Sequence, residues 1–301
     1  MTRVHTLALL ALCVLLAGCG GFANGSQPTE TLSPVPVPAD PETPPPTSVT
    51  PTPTPDPPGE RLALGLTTAG VTDPFVLAGS HRSHLRNSSY TRIETMRIEA
   101  GNTTLREWRR VTRVAPSGRP YHVVEVSESH PSYPVSAANA HLEIWFDGGP
   151  ALFRVGEEQV DYRVGTTGDF GGPLPDVTGH DRLAALYGEF TDWSVLTTTT
   201  FDGHLHILTS ESSRGTAVLR PPLFLANVSD AEVRIAVRGD GRVQRHSLVY
   251  EATFDGEPVR VVRATSFENV GNTTVERPGW YDEARNATTR PAGGSEQPLP
   301  E

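Results

Sequence analysis

The sequence predicts a mainly β (α+β) domain, an antiparallel meander of about 11 strands interrupted by two helices. Three observations carry this. Between residues 90 and 267, short Val-, Thr- and Tyr-rich runs alternate apolar and polar residues. Hairpin dipeptides separate them: Phe146-Asp147-Gly148, Phe201-Asp202-Gly203 and Phe254-Asp255-Gly256 repeat one turn, and Gly101-Asn102 and Asp240-Gly241 add two. Only Pro74–Arg86 and Thr178–Phe190 space their apolar residues as helices do. Strands joined by tight turns run antiparallel, which makes the pattern a meander.

Taken in order, Thr72-Asp73-Pro74 supplies a capping residue and then a proline for the first helical turn. Phe75, Val76, Leu77 and Leu85 suit an amphipathic helix that Asn87-Ser88-Ser89 ends. Strands are expected at Tyr90–Glu99, Thr104–Val114, Tyr121–Glu128, His141–Phe146, Ala151–Val155 and Val160–Val164. The second helix carries Leu183, Leu186, Tyr187 and Phe190 at helical spacing. Strands resume at Trp193–Phe201, His204–Ser210, Glu232–Arg238, Arg242–Phe254 and Pro258–Phe267. Leu142, Ile144 and Phe146 share one face of their strand, and Leu248, Tyr250, Ala252 and Phe254 one face of theirs. One side of the sheet is therefore packed and the other meets water.

The chain ahead of this domain reads differently. Arg3 precedes an apolar run from Leu7 to Leu16, and Leu16-Ala17-Gly18-Cys19 has the form of a lipobox. The run is shorter than the roughly 20 residues of a membrane span. Residues 1–19 are read as a signal peptide ending in a cysteine that is lipidated and becomes the mature N-terminus. Residues 20–71 are read as a disordered Pro/Thr-rich stalk, with Pro44-Pro45-Pro46 and Pro51-Thr-Pro-Thr-Pro55 favouring polyproline II. About 30 such residues reach on the order of 90 Å. The β-rich domain is placed at 72–284 and a disordered tail at 285–301. These features predict a protein on the outer face of the cell membrane, held there by its lipid.

Composition excludes several chemistries. All 25 basic residues are arginine, and 35 acids leave a net charge of −10, so nucleic acid is not an expected partner. The absence of lysine removes a P-loop, a Schiff base and a lysine general base. Cys13 and Cys19 are the only cysteines and both lie at the front, so the domain has no thiol nucleophile or disulfide. Neither Gly-x-Ser-x-Gly nor His-Glu-x-x-His occurs. No enzyme activity and no cofactor are expected.

Six of the eight asparagines lie in Asn-x-Ser/Thr: Asn24, Asn87, Asn102, Asn227, Asn272 and Asn286. Glycosylation is expected at several of them. His204-x-His206 and His81-x-x-His84 have spacings a metal could use, but no third ligand stands near either, so no metal site is expected. Arg106, Arg109, Arg110 and Arg113 form a basic run that either meets an anionic headgroup or pairs across a hairpin with acids such as Glu94.

A helix leading into Ser89-Tyr90-Thr91, a long meander, a mid-chain helix, two closing hairpins and a terminal Val275-Glu-Arg-Pro-Gly-Trp280-Tyr281 resemble uncharacterised haloarchaeal surface lipoproteins. The outline is similar to the LolA/LolB and LppX half-barrels over residues 72–284, and lysine-free acidity fits a halophile. This resemblance implies a curved sheet wrapped around its helices and an apolar cleft that holds a lipid. Leu142, Ile144, Phe146, Leu248, Tyr250 and Phe254 are the residues expected to line it. The leading expectation is a monomeric, membrane-anchored binding module for a lipid-like ligand. A structural or interaction lipoprotein with no cleft is the alternative, and an exported hydrolase the distant one.

Overall fold

The structure, a computed structural model, describes residues 59–133, 139–165, 176–215, 219 and 224–289. Cys19, Asn24, the signal and most of the stalk lie outside the described residues. The stalk boundary needs correction, because three short strands precede the first helix: β1 (Arg61–Ala63), β2 (Leu66–Thr67) and β3 (Gly70–Val71). Leu66 is fully buried there, so this stretch belongs to the core and not to the stalk.

Helix α1 (Pro74–Arg86) starts as its sequence dictates. Asp73 Oδ1 accepts the Phe75 and Val76 N–H groups at 3.1 and 3.0 Å, and Pro74 occupies the first turn. Leu77, Ala78, His81 and Leu85 form its buried stripe. Six strands follow: β4 (Tyr90–Ala100), β5 (Thr103–Val114), β6 (Tyr121–Ser129), β7 (Asn139–Phe146), β8 (Ala151–Val155) and β9 (Asp161–Gly165). Helix α2 (His180–Glu189) buries Leu183, Ala184, Leu186 and Tyr187. Asp176 caps its start, accepting from the Thr178 side chain and, at 2.9 Å, from the Asp181 N–H.

The second half holds β10 (Phe190–Thr191), β11 (Ser194–Thr200), β12 (Gly203–Ser210), β13 (Ser212–Ser213), β14 (Ala226–Arg238), β15 (Val243–Phe254) and β16 (Glu257–Glu268). All five dipeptide turns named above join neighbouring strands. At the β15–β16 turn Asp255 and Gly256 both take positive φ, 51° and 86°, as that hairpin requires. Helix α3 (Tyr281–Thr289) closes the described chain and runs past residue 284, where the tail was placed.

Eleven strands form one open antiparallel sheet, a half-barrel, in the order β11-β12-β14-β15-β16-β4-β5-β6-β7-β8-β9. It is two meanders rather than one. The last strand, β16, pairs with the first long strand, β4, Val261 opposite Ile98 and Thr265 opposite Glu94. Helices α1 and α2 pack on the inner face against Ile98, Val123, Phe153, Leu248 and Val261. Each fully buried side chain of this size contributes about 1.5–3 kcal/mol. The third helix was not foreseen. A separate cluster of Trp145, Leu152, Trp280 and Ala284 joins it to the outer face of β7 and β8.

Candidate functional site

The inner face is apolar at most positions but not at all of them. Period-two alternation places Arg92, Glu94, Met96 and Ile98 of β4 on it, so charged and apolar residues share one face of one strand. Register brings the neighbours into line. Met96 lies opposite both Trp108 and Arg263, Leu248 opposite Arg263, and His246 and Glu94 flank Thr265. In β5 a one-residue bulge at Leu105 breaks the pairing between Ile98–Arg106 and Glu99–Thr104. Leu105 is then buried in the core beside Arg106, which faces the cleft.

These residues and Arg182, from the first turn of α2, enclose a cleft of about 340 Å³. Four arginines line it, Arg92, Arg106, Arg182 and Arg263, against the single carboxylate of Glu94. Arg92 is accounted for: it pairs with Glu94 at 2.7 Å and donates to the Asp176 carbonyl at 3.2 Å. Arg263 donates to the Leu219 carbonyl at 3.1 Å and approaches Met96 Sδ at 3.5 Å. Among the described residues, neither Arg263 nor Arg106 has a carboxylate within ion-pairing reach. The Arg106 Nε is buried without a hydrogen-bond partner among the described residues, as are the hydroxyls of Ser127, Ser129 and Tyr250. Ser127 and Ser129 stand directly opposite Trp108 and Arg106.

His246 adds no charge. Burial, and then the charges of Arg92 and Arg182, push its pKa down to about 3. Burial raises the Tyr250 phenol, which also feels Arg263 and Arg182. The cleft is thus electropositive, rich in donors and partly desolvated, within a chain of net charge −10.

Of the six residues expected to line a cleft, Leu248 does. Ile144, Tyr250 and Phe254 are buried in the core cluster, to which Leu248 also belongs, and Leu142 and Phe146 are partly buried against it. Phe146 stacks on Tyr121 at 5.0 Å and Phe254 meets Tyr133 at 5.1 Å. The basic run divides by alternation. Arg106 and Arg110 point inward, while Arg109 and Arg113 are exposed. Glu94 does stand opposite Arg110, but it bonds Arg92, and Arg110 bonds Glu125 at 2.6 Å while lying 4.9 Å from the Trp108 ring. Sequence reasoning passed over Arg92, Arg182 and Arg263. The signal was an arginine on the same strand face as Val259, Val261 and Phe267.

One ring of each histidine pair is buried and hydrogen-bonded. His81 is buried: its Nε2–H donates to the Thr178 carbonyl and its Nδ1 accepts the Val243 N–H. His206 is buried beside His204 and bonds Thr197 at 2.9 Å. Asp176, His180 and Asp181 come within metal-ligand spacing of one another, but the Asp176 oxygens already cap α2. Asn87, Asn102, Asn227, Asn272 and Asn286 are all exposed.

No protein-family profile matches the chain, and no curated protein matches it in sequence. Among solved structures, it is similar to a DUF1329 family protein from Desulfovibrio piger, with 12% identity over 71% of this chain and 98% of that one, at a TM-score of 0.28. A LolA superfamily protein from Nitrosomonas europaea matches at 12% identity over 66% of this chain and 93% of that one, at 0.24. The MucA/MucB complex of Pseudomonas aeruginosa matches at 12% identity over 70% of this chain and 60% of that one, at 0.29. The functional reading rests on the cleft itself.

Proposed function

We propose that this chain is a lipid-anchored lipoprotein displayed on the outer face of the cell membrane. Its half-barrel acts as a binding module, not an enzyme, and holds a lipid-like ligand in the cleft between α2 and strands β15, β16, β4 and β5. One observation carries the reading: a cleft of about 340 Å³ stays open on the inner face, walled by Met96, Trp108 and Leu248, where neighbouring positions are filled. The Leu16-Ala17-Gly18-Cys19 lipobox supports the anchor, and the exposed Asn87, Asn102, Asn227, Asn272 and Asn286 support glycosylation. The membrane, through the anchor, and the ligand are its partners, and it works as a monomer.

A structural lipoprotein is the second reading. It is favoured by the burial of Ile144, Tyr250 and Phe254 in the core, away from the cleft. Mass spectrometry of the protein purified from its own cells separates the two, reporting anchor, glycans and bound lipid together. Extractable lipid, with displacement of an apolar dye, supports the binding module. Neither lipid nor dye binding leaves the structural reading. Cys19→Ser releases the chain from the membrane or leaves it unprocessed; a processed variant that stays membrane-bound removes the anchor.

A further inference from the structure

Apolar walls alone do not explain what the cleft contains. Arg106 and Arg263 face it from strands β5 and β16 with no carboxylate in reach among the described residues. A guanidinium withdrawn from water without an anion is unfavourable, because desolvation is not offset by pairing. Beside Arg106, the Ser127 and Ser129 hydroxyls are buried without partners among the described residues, and the Tyr250 hydroxyl likewise. All of these groups can donate: Arg263 has only the Leu219 carbonyl and Met96 Sδ to meet it, and Arg106 Nε and the three hydroxyls have no acceptor among the described residues. Glu94, the one carboxylate of the cleft, is taken by Arg92. Met96, Trp108 and Leu248 stand within the same walls and offer apolar surface next to the donors.

The geometry points to an amphiphile with a phosphate headgroup as the ligand class, the phosphate oxygens held by Arg106 and Arg263 and the first carbons of the tail against Met96, Trp108 and Leu248. This rests on the binding function proposed above and names its ligand. A phosphate has several oxygens, enough to meet two forked guanidiniums and a serine hydroxyl at once. A neutral headgroup leaves both charges uncompensated. The cleft therefore selects by headgroup first and by chain second.

The test uses the full chain carrying Cys19→Ser, so that no covalent lipid competes. Calorimetry compares dodecyl phosphate, dodecyl maltoside and inorganic phosphate, each below any micelle concentration. Dodecyl phosphate is expected to bind about tenfold or more tightly than dodecyl maltoside, as charge-assisted pairing implies. That preference disappears in Arg106→Gln and in Arg263→Gln. Arg106→Gln does not lower the melting temperature of the ligand-free protein, since it removes a charge without a carboxylate partner, and a merely structural arginine would lower it; Arg263→Gln also loses its bond to the Leu219 carbonyl and is read by the binding preference alone. If both amphiphiles bind alike and the variants change nothing, the headgroup assignment falls while the binding module stands. If inorganic phosphate binds as tightly as dodecyl phosphate, the site takes a free anion and the amphiphile is overturned. If no probe binds, the binding function fails together with its ligand.

Discussion

His81 on α1 accepts the backbone N–H of Val243 on β15 at 3.1 Å through Nδ1, and its Nε2–H donates to Thr178 at 3.0 Å. One neutral ring thereby ties the first helix to the sheet and to the start of the second helix. Protonation would put a second hydrogen where Val243 already donates. Burial is the main cause that brings the His81 pKa from 6.5 down to about 4.

Acid should destabilise the domain from this interior. His246 is likewise held down to about 3, chiefly by burial. The unfolded chain takes up protons on both rings near pH 6.5, while the folded chain does so only near 4 and 3. Between those limits the unfolded state binds more protons, so stability falls as pH falls. Each ring's slope approaches about 1.4 kcal/mol per pH unit below 6.5, which comes to about 4 kcal/mol for both between pH 7.5 and 5. Urea unfolding at pH 7.5 and 5 measures this, and His246→Gln should flatten the slope by one proton. A stability constant over that range would refute the neutral assignments.

The outer face has its own polar hub. Glu143 accepts from Trp280 Nε1 at 2.9 Å, Arg154 at 3.0 Å, and His122 and His141 at 3.1 Å each. Burial would raise the Glu143 carboxyl, yet bonds from Trp280, His141 and His122 hold it below the usual carboxylate range. Trp280→Phe keeps most of the ring and removes one charge-assisted bond, at a cost of about 1.5–3 kcal/mol. A cycle with Glu143→Gln reads the pair by denaturant unfolding. Strictly additive losses would mean that Trp280 packs on β7 without using its N–H.

Much of this architecture is visible in the sequence because its turns are chemically explicit. Asp-Gly and Gly-Asn hairpins fix strand ends to within a residue or two, and alternation assigns Leu248, Tyr250 and Phe254 to the inner face, where they lie. What joins the two meanders is not visible. Val261 meets Ile98 across most of the domain's length, and no local residue records a pairing so distant. The arginine cleft is hidden for the same reason, since Arg92, Arg106, Arg182 and Arg263 come from four elements. The basic run around Arg109 is visible because its members lie close in sequence, but alternation sends half of it to solvent. Strands β1 to β3 are hidden because they are two or three residues long and a Pro/Thr-rich composition runs up to them.

Asn227 sits at φ 49°, the left-handed region, and donates from Nδ2 to Thr253 Oγ1 at 3.0 Å. Asparagine tolerates that conformation better than most residues. Asn227→Ala should cost about 1–2 kcal/mol from the backbone alone, and Asn227→Gly much less of that strain. Both erase the sequon and the bond to Thr253, so the difference between their melting temperatures reads the backbone strain alone. Equal losses would assign the effect to what both variants lack, the glycan and the bond to Thr253, and not to the backbone.

The last expectation separates core from cleft with one substitution at two places. Ile144 lies between Val123 and Phe153 across the register, all three buried and apolar. Ile144→Asp places a carboxylate where nothing can pair with it, a cost on the order of 4 kcal/mol or more that the fold is not expected to survive. Leu248 is as deeply buried, yet it stands opposite Arg263 in a cleft lined by four arginines. An aspartate there gains an ion pair with a guanidinium that has no carboxylate among the described residues, and this offsets much of its desolvation. Leu248→Asp should therefore remain folded, with a cooperative thermal transition, while losing dodecyl phosphate because its own carboxylate occupies the site. Circular dichroism and calorimetry on the two variants decide the matter. If Leu248→Asp unfolds as completely as Ile144→Asp, the cleft lacks the positive field that its arginines imply.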